Sequence, residues 1–274
     1  MSNKFNPIFG TKVVIIGGSS GLGNLSSLLG CLNSCSHTSH AGYSAAEISL
    51  DRGAIVFIAS SSQGKVDAAV ATLRQAYPKG QVTGSTLDIK DDSSVKAFFA
   101  KINETGSKGI DHLIYSAGDA LAQMTPAQFE KATISAAFDV RVFGIFSAIS
   151  AAHPFMNVGS SITLTTGSAA FKPPGGGWSV IGALTGAIVS LAKSLAIELA
   201  PIRVNSLAPG AVETPLWDPM GADAKAAMFE SMKKSHLTGG VGQPEDIAHA
   251  YLFAMSCRFL TGQCIIIDGG ALLI

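Results

Sequence analysis

The 274-residue chain is 47% hydrophobic and only 14% charged, which supplies a large core and excludes disorder over most of its length. Nineteen basic residues balance nineteen acidic ones without a basic run, so the electrostatic footprint of a nucleic-acid or anionic-membrane binder is missing and a small-molecule ligand is the default. Residues 1–11 lack the apolar core of a secretory signal, the longest apolar run (182–191) falls short of a bilayer span, and Cys31, Cys35, Cys257 and Cys264 form no disulfide pattern, so a cytoplasmic protein is expected.

Residues 12–18 (KVVIIGG) form an apolar, β-branched run ending in glycines, which predicts a buried parallel strand entering a tight turn. The next segment, 24–42 (NLSSLLGCLNSCSHTSHAG), is serine-rich and stands where a phosphate-binding turn would run straight into its helix. Deleting those nineteen residues joins Gly23 to Tyr43 and leaves GGSSGLG-YSAAEISLDRGA, a turn, a helix and a strand at ordinary spacing. The segment therefore reads as an in-frame insertion, either a natural elaboration or the translated remnant of an unremoved intron. Leu25, Leu28, Leu29 and Leu32 have helical spacing, so the insertion could itself supply the first turns after Gly23, with residues 33–42 looping out. Cys31, Cys35, His37 and His40 lie closer together than the usual zinc-ligand pairs, and no metal is expected.

Further strand-like runs fall at 54–59 (AIVFIA), 112–115 (HLIY), 161–165 (SITLT), 202–207 (IRVNSL) and 264–267 (CIII), with helical stretches at 65–76, 93–102, 127–152, 182–199 and 244–253. Strand alternating with helix predicts an α/β protein: one doubly wound parallel sheet with right-handed crossovers, in a single domain over residues 1–274. Ligands of such sheets bind at the carboxyl ends of the strands.

Gly17, Gly21 and Gly23 in IGGSSGLG follow a strand and, with the insertion removed, precede a helix. In that context backbone N–H groups and a helix N-terminus can hold a pyrophosphate. Ser60, Ser61 and Ser62 stand at the end of the second strand, where a carboxylate would select NAD. Hydroxyls there, with Lys65 nearby, favour NADP(H).

This turn resembles the Gly-x-x-x-Gly-x-Gly of the short-chain dehydrogenase/reductase family, with Ile16 where Thr is usual. Four further blocks agree in order and spacing: LDIKD at 87–91, SAG at 116–118, IRVNSLAPGAVET at 202–214 and TGQCIIIDGG at 261–270. The resemblance implies a Rossmann fold binding NADP(H). It puts Gly17, Ser19, Ser20, Gly21, Leu22 and Gly23 on the diphosphate, Asp88 and Ile89 beside the adenine, and Ser116, Ala117 and Gly118 along the groove. Pro209, Gly210, Val212 and Thr214 would surround the nicotinamide, while Asn205 and residues 268–270 read as structural. It also implies a homodimer or homotetramer, for which the apolar helices at 127–152 and 182–199 are suited.

In that family a Tyr and a Lys four residues later carry the proton chemistry, aided by a Ser and an Asn. Counting back from the shared SLAIEL helix puts Ile181 and Thr185 in the first two places. Ser168 keeps the Ser position, with Thr166 as its rival, and Arg141 in FDVRVFG stands for the Asn. Trp178, after PPGGG, either closes the pocket or packs on it. A ketone needs a proton donor for its developing alkoxide, whereas an iminium ion or a conjugated carbonyl does not. The expectation is therefore NADP(H)-dependent reduction of an activated acceptor, positioned by Arg141 and Ser168. In its GGGW loop (175–178), APIRVN block (200–205) and PGAVETPLW segment (209–217) the chain is similar to a divergent fungal branch of the family that lost the Tyr and Lys and includes reductase/Diels–Alderases, which implies a place in secondary metabolism, including alkaloid biosynthesis. The alternatives are a non-redox cyclase or ligand-binding protein on the same fold, or an inactive mis-spliced product.

Overall fold

A computed structural model of the chain describes residues 6–18, 41–105 and 109–274. Its strands are β1 (Lys12–Ile16), β2 (Ile55–Ser60), β3 (Gln81–Thr86), β4 (Ile110–Tyr115), β5 (Met156–Thr165), β6 (Arg203–Pro209) and β7 (Cys264–Ile267). All neighbours pair in parallel, in the order β3-β2-β1-β4-β5-β6-β7. Every side chain of β1 is buried, which is why the strand reads as an unbroken apolar run. The strand order reverses between β1 and β4, the switch point at whose carboxyl side sheets of this kind bind ligands.

The helices are α1 (Ala41–Asp51), α2 (Gln63–Ala76), α3 (Asp92–Glu104), α4 (Lys131–Phe138), α5 (Gly144–Ala152), α6 (Ser179–Glu198), α7 (Ala222–Ser235) and α8 (Pro244–Ser256). Alternation along β1 divides the core into two layers. Val14 and Ile16 pack with Phe99 of α3, Ile145 of α5 and Ile188 of α6. Val13 and Ile15 pack on the other face with Ala46 of α1, Leu73 of α2 and Tyr251 of α8.

Four expectations are corrected. The edge strand β3 was not expected, because QVTGST carries one strongly apolar residue, Val82; its pairing with β2 supplies what its sequence does not advertise. The single helix expected over 127–152 begins at Lys131 and is interrupted at Asp139–Phe143 by one π-helical turn. Ala41 and Gly42, expected in a loop, form the first turn of α1, because Gly42 packs against the sheet. Finally, Lys131–Phe155 and Ser179–Glu198 are apolar enough, by length and composition alone, to cross a membrane, although α6 buries Ile181, Leu184, Ile188 and Leu195 in the core. Leu25, Leu28, Leu29, Leu32, Cys31, Cys35, His37 and His40 lie outside the described residues, and among the described residues no cluster of three His, Cys, Asp or Glu could hold a metal.

The amino-terminal end of the sheet is closed by polar pairs. Lys12 Nζ donates to the carbonyls of Ile102 and Thr105, each at 3.1 Å, and so caps α3. Asp111 accepts from the Lys12 backbone N–H (2.8 Å) and from Asn157 Nδ2 (2.7 Å), and His112 Nδ1 lies 2.8 Å from Ser161 Oγ. Arg203 donates to the carbonyls of Ala254, Met255 and Leu260, fixing the end of α8.

Candidate active site

At the carboxyl end of β1 the main chain leaves no room for side chains. Gly17 has φ +97°, and a Cβ there would stand 2.6 Å from the Ala117 amide nitrogen. Only glycine combines that dihedral with that contact. The Ser116 N–H donates to the Ile16 carbonyl at 2.9 Å, so the turns after β1 and β4 lie against each other. A Cβ on Gly42 would overlap Ser116 Oγ and lie 2.8 Å from the Gly17 carbonyl oxygen. Gly42 thus brings α1 against the strand ends. Because positions 23 and 42 are both glycine, removing 23–41 or 24–42 leaves the same chain. Ser19, Ser20, Gly21, Leu22 and Gly23 lie outside the described residues.

The second rim joins the ends of β2 and β3. The Ser60 carbonyl accepts from the Leu87 N–H at 2.9 Å, bringing the serine run beside Asp88. Ser62 is the N-cap of α2 with no side-chain cap bond, and Ser61, Lys65 and Asp88 are exposed. Ile89 is instead buried and turned toward Gly144, where a Cβ would stand 2.7 Å from its Cγ1.

Arg141 occupies the middle of the π-helical turn and lies over the loop after β4. A Cβ on Gly118 would be 2.5 Å from Arg141 Nη1, and Arg141 Nη2 donates to the Asp119 carbonyl. Its remaining N–H groups have no hydrogen-bond partner among the described residues. Burial lowers the guanidinium pKa from its usual value, opposed by the nearby Asp119 carboxylate. Ser116, Ala117, Gly118 and Arg141 are therefore brought together.

Ile181 and Thr185 are both buried on α6. Thr185 Oγ1 donates to the Ile181 carbonyl at 2.7 Å, so its hydroxyl is spent within its own helix. Thr166 Oγ1 donates to the Thr185 carbonyl at 2.8 Å, whereas the Ser168 hydroxyl bonds to no described residue. Of the two rivals, Ser168 is the one free to meet a ligand. Trp178, half-buried, caps α6, and the Gly177 carbonyl accepts from the Met124 N–H at 3.0 Å, joining two loops at this end of the sheet.

Pro209 ends β6, and Gly210 approaches Asp268 so closely that a Cβ would lie 2.8 Å from the Asp268 Cα. Val212 bridges to Gly242, its carbonyl accepts from Trp217 Nε1 at 2.9 Å, and Thr214 caps the following 3-10 turn. Asn205 donates to the Leu260 carbonyl and accepts from the Gln263 N–H, while Asp268 accepts from the Gly270 and Leu272 N–H groups. Lys172 was not singled out in the sequence. Its Nζ donates to the Ala271 carbonyl (3.3 Å) and to that of Ile274, tying the last residues of the chain to the loop after Ser168.

The family model described as an SDR-like Rossmann domain matches residues 3–274. The chain belongs to the short-chain dehydrogenase/reductase family. It is 32% identical over 270 residues to the short-chain dehydrogenase/reductase ucsE of Acremonium sp, with 95% of each chain covered. The MalC reductase/Diels-Alderase structure from Malbranchea aurantiaca superposes with a TM-score of 0.85 at 26% identity, covering 100% of both chains. A small-chain dehydrogenase in complex with NADPH superposes with a TM-score of 0.73 at 30% identity, covering 97% of this chain and 100% of that one.

The described part of the groove fits the dinucleotide used by this family of oxidoreductases. Gly17, Gly42 and Gly118 let the turns after β1 and β4, the start of α1 and the Arg141 guanidinium meet closely at the switch point, and the Ser62 hydroxyl at the end of β2 bonds to no described residue.

Proposed function

We propose that this protein is an NADP(H)-dependent reductase acting on an acceptor that is already electrophilic, an iminium ion or a conjugated carbonyl, in fungal secondary metabolism. The observation that carries the reading is the burial of Ile181 and Thr185, with the Thr185 hydroxyl bonded to its own helix, together with an Arg141 guanidinium whose further N–H donors have no partner among the described residues. Of the similar structures named above, one is a reductase/Diels-Alderase, which supports a reductase, and another is bound to NADPH, which supports the cofactor.

Bound NADPH supplies a hydride. Ser62 and Lys65 at the end of β2 would hold its ribose phosphate, since hydroxyl and ammonium groups both donate to phosphate. Hydride addition to an iminium carbon neutralises the cation and leaves an amine, so no proton has to be delivered at that moment. In a conjugated carbonyl the charge passes to oxygen, and Arg141 holds that oxygen until water protonates the carbon. Arg141 grips a carbonyl or carboxylate of the substrate, and Ser168 donates the second hydrogen bond.

NADPH consumption with 2-methyl-1-pyrroline, with a conjugated enone and with cyclohexanone tests this. Turnover of the imine or the enone is expected, with cyclohexanone untouched, and Arg141→Ala should lower kcat/KM for the accepted compound by about tenfold or more. Equal turnover of cyclohexanone would refute the reading. NADPH binding without oxidation by any acceptor would favour a cyclase on the same fold.

We also propose that the protein is a cytoplasmic homo-oligomer. Phe143 and Phe146 are about half exposed beside α5, and most of the residues in the apolar stretches Lys131–Phe155 and Ser179–Glu198 are not buried in the single chain, so a second copy would cover them. Phe146→Glu should shift the mass seen by light scattering toward the monomer.

A second reading is favoured by Gly42. Gly42 begins α1 against the turns after β1 and β4, and joining Leu22 to Gly42 leaves a glycine-rich stretch and a helix at ordinary spacing in the sequence, so residues 23–41 read as an insertion. The chain lacking 23–41 is expected to bind NADPH more tightly than this one, as fluorescence titration would show; equal affinity would make the segment a neutral elaboration.

A further inference from the structure

We infer that Tyr115 is a positioning residue whose hydroxyl holds the π-helical turn of Asp139–Phe143 open and so sets the aim of the Arg141 guanidinium. The inference rests on the role given to Arg141 above only where it concerns turnover. In an α-helix the Val140 carbonyl would accept from the N–H four residues later, that of Gly144. Here the Gly144 N–H reaches one residue further back, to the Asp139 carbonyl, so the Val140 carbonyl loses its helical partner. A buried carbonyl without a partner is costly. Tyr115 at the end of β4 removes that cost: its Oη donates to the Val140 oxygen at 2.5 Å, across 25 positions of sequence.

Two glycines make room for the arrangement. A Cβ on Gly144 would overlap Tyr115 Oη, so the phenol reaches the turn only because that position has no side chain. A Cβ on Gly118 would meet Arg141 Nη1 and the guanidinium carbon at 2.5 and 2.6 Å, so the loop after β4 is shaped to take the guanidinium where the π-turn delivers it. The extra residue of a π-turn rotates every later side chain by roughly 100° relative to an uninterrupted α-helix, which follows from 3.6 residues per turn. Without the Tyr115 bond the Val140 and Gly144 groups can pair, the turn relaxes to α-helix, and Arg141 leaves its seat on Gly118. Tyr115 itself is 1% exposed, and burial pushes its phenol well above the ordinary tyrosine range, so it remains a donor throughout the working pH range.

The test compares Tyr115→Phe, Arg141→Ala and the double variant in the full-length protein, with Gly144→Ala as a second way of driving the phenol from Val140. The Arg141 Nε–Hε signal in arginine-labelled protein, assigned by its loss in Arg141→Lys, reports guanidinium placement independently of activity. Tyr115→Phe and Gly144→Ala should both shift that signal, with NADPH affinity changed less than twofold. Tyr115→Phe should lower kcat for the accepted imine or enone by about tenfold, in line with the cost of misplacing a positioning group. The double variant should be no slower than Arg141→Ala alone, because the two act through one group. An unmoved Arg141 signal, or losses that multiply in the double variant, would overturn the inference. If the signal moves but Arg141→Ala leaves turnover intact, the placement by Tyr115 stands and the catalytic reading of Arg141 falls.

Discussion

The two ends of β4 are built by opposite rules. At the amino-terminal end, Asp111 and His112 are bonded to Lys12, Asn157 and Ser161. At the carboxyl end, Gly17, Gly42 and Gly118 let backbone and guanidinium meet closely, and Arg141 and Ser168 keep donors with no partner among the described residues. The contrast separates two roles: Lys12, Asp111 and His112 are tied into holding the sheet, whereas Arg141 and Ser168 are left with donors that a ligand can meet.

The sharpest way to break this comparison is Gly17→Ala. The substitution adds a strained φ of +97° to a backbone contact of 2.6 Å, and the expected loss is on the order of 4 kcal/mol together with NADPH binding. Gly10→Ala is the control, because Gly10 has φ +73° with no atom within 4 Å of the added carbon. It should cost only about 1 kcal/mol and leave binding intact, as urea melts and fluorescence titration would show.

The closed end should respond to acid rather than to cofactor. Burial depresses His112 from 6.5 to about 4, against the opposing pull of Asp111. The unfolded chain therefore takes up this proton first. Stability is full above pH 6.5 and falls as the pH drops toward 4, by up to about 3 kcal/mol. His112→Gln should flatten that slope in melts taken across the window while leaving NADPH affinity unchanged. A change in affinity instead would mean that the two ends are coupled.

The smallest expected effect is at the outer rim. Ser62→Ala with Lys65→Gln should weaken NADPH by about fivefold and leave NADH unaffected, because both side chains are solvent-accessible and their charge is screened. An equal loss for both nucleotides would place the pair outside the ribose phosphate site.

Much of the architecture was legible in the sequence because parallel strands buried on both faces have to be continuously apolar, as KVVII and AIVFIA are. Gly17 and the SAG of 116–118 were legible as well, since tight backbone approach leaves few choices but glycine and alanine. β3 was not, because an edge strand such as QVTGST can remain polar where one face and one edge meet water. The π-turn was invisible for another reason: FDVRVFG has an ordinary helical pattern, and only Tyr115, from a different strand, determines which carbonyl is released.

The sequence by itself determined the alternating order of strands and helices and the glycines of the first turn. Each of these is a property of residue type and local spacing. Only the tertiary structure decided that Gly42 packs α1 against the strand ends, that the Ser168 hydroxyl, unlike that of Thr166, bonds to no described residue, and that Arg141 is seated on Gly118. Those outcomes depend on which backbone atoms meet across the sheet, and no local pattern records contacts between residues so far apart along the chain.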